Sequence, residues 1–136
     1  MSARTRARKR ALDVLFESEL RGVALGSTLV ERLDAGSGPV NPYTVSLVEG
    51  VAAHREHIDE LLAAHAVGWT LDRMPAVDRN LLRLAVYEIW YVPDVPDSVA
   101  VSEAVQLASQ LSTEQSPAFI NGLLGRLIEL KPTLLS

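Results

Sequence analysis

Five basic side chains crowd the first ten residues, Arg4, Arg6, Arg8, Lys9 and Arg10, with no acid among them. Taking these five from the 13 basic residues leaves 8 to set against 17 acidic ones in the rest of the chain, a balance of −9 beside a head of +5. The overall net charge of −4 therefore conceals a bipolar molecule. Such a head suits a polyanion backbone, held locally by charge and hydrogen bonding. It equally suits a solvated basic end with no ligand. A second set follows helical spacing: Arg79, Arg83 and Tyr87 at i, i+4 and i+8, with Trp90 completing the line. Guanidinium and aromatic planes on one helix face are what unpaired bases need, because single strands are held by stacking and phosphate contacts together. The same residues have a structural reading, in which the arginines pair with Asp72 or Asp78 and the rings of Tyr87 and Trp90 join the core.

Groups for catalysis are scarce. The chain has no cysteine, which excludes a disulfide framework, a thiolate metal site and a cysteine nucleophile together. It carries no glycine-rich phosphate loop, no G-x-S-x-G elbow and no H-E-x-x-H. His54 and His57 stand three residues apart with Glu60 three further on, a spacing that puts three possible ligands on one helical face. Their neighbours Arg55, Glu56 and Asp59 make a solvated face the stronger expectation, so no metal and no cofactor are expected. Asp59 and Glu60 are adjacent and point apart on a helix, a poor arrangement for an acid and base couple. The expectation is a binding protein, not an enzyme.

The elements that must position these groups are helical. At 136 residues, with 48% hydrophobic and 22% charged side chains, the chain has the size and composition of one domain, 1–136, with a real core. Helical spacing recurs from end to end and strand-like alternation does not, so the fold class is all-α, with about six to seven helices. The first helix is expected over about 4–20, with Ala7, Ala11, Leu12 and Leu15 inward, and Gly22 and Gly26 ending it. On it, Arg4 and Arg8 extend the apolar face while Arg6 and Arg10 point outward. A short helix over 27–33 stops at Gly36-Ser37-Gly38-Pro39. Residues 43–66 read as one long helix or two nearly collinear ones. The segment 77–91 carries apolar residues almost all round, as a central helix does, and Pro93 and Pro96 end it. Asp97 or Ser98 is then placed to cap a helix through Leu111, and Ser116-Pro117 to open the last one. No apolar run approaches 18 residues, which gives no expectation of a membrane span or secretory signal and points to the cytoplasm.

Five stretches, in this order and spacing, resemble the NusB family of bacterial transcription antitermination factors. They are Arg6-Ala7-Arg8-Lys9-Arg10-Ala11-Leu12-Asp13-Val14-Leu15-Phe16, Leu82-Arg83-Leu84-Ala85-Val86-Tyr87-Glu88, Asp94-Val95-Pro96, Val101 to Ala108, and Phe119-Ile120-Asn121-Gly122-Leu123-Leu124. The resemblance covers nearly the whole chain. It implies two packed helical bundles without catalytic activity, and partners in boxA-like single-stranded RNA, the ribosomal protein NusE and the RNA polymerase antitermination complex that reads through terminators of ribosomal RNA operons. It places RNA contacts on Arg4, Arg6, Arg8 and Arg10, with Arg83 and Phe119 near the RNA path; Arg79 joins them from its spacing. Phe16 and Asp78 match positions near the NusE surface.

The chain departs from the family pattern at Ile89-Trp90-Tyr91-Val92 and at Pro117-Ala118, where family members often carry polar or basic residues. Trp90 and Tyr91 are therefore expected at a homodimer interface, or else folded beneath the turn at Pro93. A related domain also occurs fused to ribosomal RNA cytosine methyltransferases. That enzyme needs a cofactor-binding α/β domain, for which 136 residues leave no room. An RNA-binding accessory domain of that kind and a helical dimerisation module without RNA are the alternative readings.

Overall fold

The computed structural model describes residues 2–38 and 41–135. Among them stand seven helices and no strand: α1 (Ala3–Leu20), α2 (Ser27–Asp34), α3 (Pro42–Ala53), α4 (Arg55–His65), α5 (Ala76–Tyr91), α6 (Asp97–Leu111) and α7 (Ser116–Leu135). They group into two compact units, Met1–Arg55 and Glu56–Ser136. Pro39, part of the sequence breaker after α2, lies outside the described residues.

In the first unit α1 packs against α2 and α3. The Ser2 hydroxyl caps α1 by accepting from the Thr5 N–H at 3.0 Å. Gly22, in the left-handed region at φ +68, ends the helix's course where the sequence placed the stop. The inward stripe is the one the spacing gave, with Ala7, Ala11, Leu12 and Leu15 all buried. Asn41 caps α3 and Pro42 follows it in the first turn, where a missing N–H costs nothing. Buried Thr44, at the start of α3, donates to the Ala7 carbonyl at 3.0 Å and fixes the close approach of α3 to α1.

The stretch 43–66 is two helices, not one. His54 leaves helical geometry at φ −111 and ψ 15, while its N–H still donates to the Gly50 carbonyl. α4 resumes at Arg55, so the break costs a single residue.

In the second unit α5 is central and packs against both α6 and α7, which also pack on each other. Leu81, Leu82, Leu84, Ala85, Val86 and Ile89 are buried, and so are the polar Asp78, Asn80, Arg83 and Glu88. Burial all round explains the missing polar face in the sequence. At roughly 1.5–3 kcal/mol for each large apolar side chain, this burial is a large favourable contribution to the unit's stability. Neither Asp97 nor Ser98 caps α6. The Asp97 carboxylate instead receives the Lys131 ammonium at 3.1 and 3.2 Å, tying the start of α6 to the last turns of α7. No helix among the described residues is long and apolar enough to cross a membrane.

Candidate nucleic-acid interface

The basic head is the first turns of α1, and its arginines divide into two rows. Arg4 and Arg8 follow one side and meet Tyr43 of α3: their guanidinium carbons lie 4.3 and 5.9 Å from the ring centroid. Arg6 and Arg10 follow the outer side and are exposed, as is Arg4. Arg8 is only 4% exposed, because the i+4 step from Arg4 carries it into the packed part of the helix. It serves as a buried cation beside Tyr43 and offers little surface to a ligand. Cations at a helix N-terminus oppose the macrodipole, typically at 0.3–1 kcal/mol each, and the first turn of α1 holds no acid to offset them. The same helix end, with its orphan N–H groups, favours an anion.

The second unit places the remaining candidates, and two of them lie deeper than the sequence suggested. Arg83 is 2% exposed. Its Nε and Nη2 donate to the two carboxylate oxygens of Asp59 at 2.9 and 3.1 Å, and its Nη1 to the Asn80 side-chain oxygen at 3.1 Å. The ion-pair reading thus holds for Arg83, with Asp59 of α4 as partner in place of Asp72 or Asp78. Asp78, expected near a partner surface, is fully buried: it accepts from the Ser112 hydroxyl, and its Oδ2 has no hydrogen-bond partner among the described residues. Arg79 is half-buried, and its Nη1 donates to the Leu71 carbonyl at 2.7 Å and the Met74 carbonyl at 3.1 Å. The exposed carboxyl of Asp72 is held below the usual range, chiefly by the Thr70 hydroxyl that donates to it, with the charges of Arg73 and Arg79 adding to the effect.

The aromatic residues separate as well. Tyr87 stacks on Tyr91, with centroids 5.6 Å apart and planes at 22°, the i+4 partner displacing Trp90 from the predicted line. The Tyr91 hydroxyl also meets His57 Nδ1, and partial burial raises its pKa above the ordinary phenol value. Tyr91 is thereby committed to contacts within its own unit, while Trp90 is half-buried. His57 meets the Tyr91 ring edge to face, and no group of three His, Asp or Glu among the described residues is placed to hold a metal ion. Phe16 is half-buried on α1. Phe119 is half-buried in the second turn of α7 and meets Trp69 edge to face, with centroids 4.9 Å apart and planes at 66°.

Trp69 and Tyr43 were not singled out by sequence reasoning. Trp69 lies between helices, where no periodicity operates. Its signal was compositional, as one of two tryptophans in a chain with 5% aromatic residues, and it directly follows Gly68.

Comparison with known proteins addresses the family and the fold. The family model described as NusB family matches residues 5–129. A protein of Nocardioides sp. (strain ATCC BAA-499 / JS614) described as transcription antitermination protein NusB is 57% identical over 134 residues, covering 98% of this chain and 99% of that one. The solved structure of T. maritima NusB superposes with a TM-score of 0.81 at 33% identity, covering 94% of this chain and 92% of that one. A chain from a crystal structure of antitermination factors NusB and NusE in complex with dsRNA superposes with a TM-score of 0.78 at 28% identity, over 94% of this chain and 98% of that one. With a basic head on α1, an all-helical fold and identity that runs the length of both chains, this protein belongs to the NusB family.

Proposed function

We propose that this protein is a non-catalytic transcription antitermination factor of the cytoplasm that holds boxA-like single-stranded RNA together with the ribosomal protein NusE, and so helps RNA polymerase read through terminators. The observation that carries this reading is the exposure of Arg4, Arg6 and Arg10 along the first turns of α1, a stretch of concentrated positive charge on an otherwise acidic chain. Family membership supplies the class of partner, and the NusB and NusE complex, solved with dsRNA, supplies a precedent for joint binding of NusE and RNA, with the single-stranded form resting on the family resemblance. In this reading the arginines neutralise phosphates and fix the register of the strand, while Phe119 meets a base. Phe16 contributes apolar contact to the NusE side. Arg8 and Arg83 support the fold from beneath.

The test is a gel shift of a boxA-like RNA and a scrambled control, with the protein alone and with NusE added, across a range of salt. Binding of the boxA sequence alone, strengthened by NusE, is expected. Three phosphate contacts give a slope of log affinity against log salt near −2, at about −0.7 per contact on a single strand. Replacing Arg4, Arg6 and Arg10 together by alanine should remove nearly all of that slope. An unchanged slope places the RNA elsewhere, and no shift of either RNA with or without NusE ends the proposal.

A further inference from the structure

The segment joining α4 to α5, residues 66–75, delivers one wall of a small site, and the start of α7 with the end of the preceding turn, residues 112–115, delivers the other. Gly68, Trp69, Gln115 and Phe119 line an open cavity of about 210 Å³. Both rings are half-buried, so each leaves part of its surface to solvent. We propose that this cavity seats one unpaired base of the bound strand in the corner where Trp69 and Phe119 meet edge to face, the base stacking on the open face of one ring against the edge of the other with the Gln115 amide at its rim, and that Asp78 and Arg79 are the positioning residues that hold the two rings. The proposal rests on the RNA-binding reading above and adds to it a second ring, Trp69, and the means of fixing both.

The connections run from two adjacent residues at the start of α5. Arg79 reaches the segment that carries Trp69, holding the Leu71 and Met74 carbonyls with a single nitrogen. Arg126 of α7 holds the end of α4, just before the same segment, by donating to the His65 carbonyl at 3.3 Å. Gly68, at φ +99, gives the turn that presents the indole. Asp78 reaches the other wall. It accepts from Ser112, which in turn accepts from the Ser116 hydroxyl at 3.0 Å, and Ser116 also accepts from the Thr113 N–H at 3.2 Å. Phe119 follows Ser116 by three residues, and its N–H closes on the Gln115 carbonyl at 3.1 Å. A fully buried carboxylate with one unpartnered oxygen is a poor choice for packing alone, and a chain of hydroxyls leading from it to the aromatic wall gives it a use. Two aromatic rings beside an amide favour a flat heterocycle with polar edges over an aliphatic side chain.

The test uses the full chain labelled with 5-fluorotryptophan, with the Trp69 fluorine resonance assigned by its loss in Trp69→Phe. Saturation with boxA-like RNA should shift that resonance, and an RNA abasic at one particular position should bind without shifting it. Phe119→Leu should weaken RNA binding about tenfold at fixed salt and leave the salt slope unchanged. Asp78→Ala should weaken binding to a similar degree and move the Trp69 resonance before any RNA is added. Asp78→Asn keeps an acceptor for Ser112 and should restore both; Ser112→Ala provides a second break of the chain if Asp78→Ala does not fold. Wild-type protein that binds RNA with an unmoved Trp69 resonance and an undiminished Phe119→Leu affinity overturns the seat while the RNA reading stands. Failure of the wild-type protein to bind RNA at all removes both. Equal losses in Asp78→Ala and Asp78→Asn overturn the positioning role.

Discussion

Removing Asp59 should expose what Arg83 does. The Arg83 side chain is 3% exposed and the Asp59 side chain 22%, and they meet through two parallel hydrogen bonds. Deleting one partner of a buried pair typically costs 3–5 kcal/mol, because the surviving charge is left without compensation. The partial exposure of Asp59 puts Asp59→Ala at the low end, about 3 kcal/mol. With a urea m value near 2 kcal/mol/M, the midpoint of helix loss should fall by about 1.5 M. Replacing both residues, as Asp59→Leu with Arg83→Met, removes the buried charge along with its partner. The Asn80 oxygen then loses its donor, at about 1 kcal/mol, so the double variant should recover about 2 of the 3 kcal/mol. Circular dichroism in urea reads the stability, and RNA anisotropy at several salt concentrations reads the function. A structural Arg83 predicts that the folded double variant binds RNA with wild-type affinity and salt slope. A cost below about 0.5 kcal/mol for Asp59→Ala refutes the argument from burial. A double variant that folds but binds tenfold more weakly, with a slope shallower by about 0.7, refutes it differently, by making Arg83 a phosphate contact.

Two further predictions concern the first unit. Thr44→Val removes the buried hydroxyl that joins α3 to the Ala7 carbonyl and should cost about 1 kcal/mol, read as a lowered urea midpoint with an unchanged m value. The Glu31 carboxyl is held below the ordinary glutamate range, first by the hydrogen bond from Arg21, at 2.8 Å, and then by its charge. A lowered folded-state pKa means that this contribution is present above the unfolded value and is lost as pH falls through the folded one. In a carboxyl carbon NMR titration Glu31 should titrate below the ordinary glutamate value, and Arg21→Gln should return it towards that value.

The helices themselves were legible because their signals are local. An apolar stripe at 3.6-residue spacing, Gly22 at a stop and Pro93 with Pro96 at another act within a turn or two of chain, and they specified α1, α5 and α6 to within a few residues. The single-residue break at His54 was not legible, since apolar spacing continues through it. The basic head was equally plain, because charge needs no fold to be counted, and so was the division of its arginines into an inner and an outer row. How deeply each side chain sits was settled by partners distant in the sequence. Tyr43 receives Arg4, Asp59 takes up Arg83, Ser112 engages Asp78 and Trp69 meets Phe119. Spacing along a helix says which residues share a face. Whether that face meets solvent, a carboxylate or another ring depends on how the helices pack, and for Arg83 and Asp78 it was packing that buried both and set them against Asp59 and Ser112.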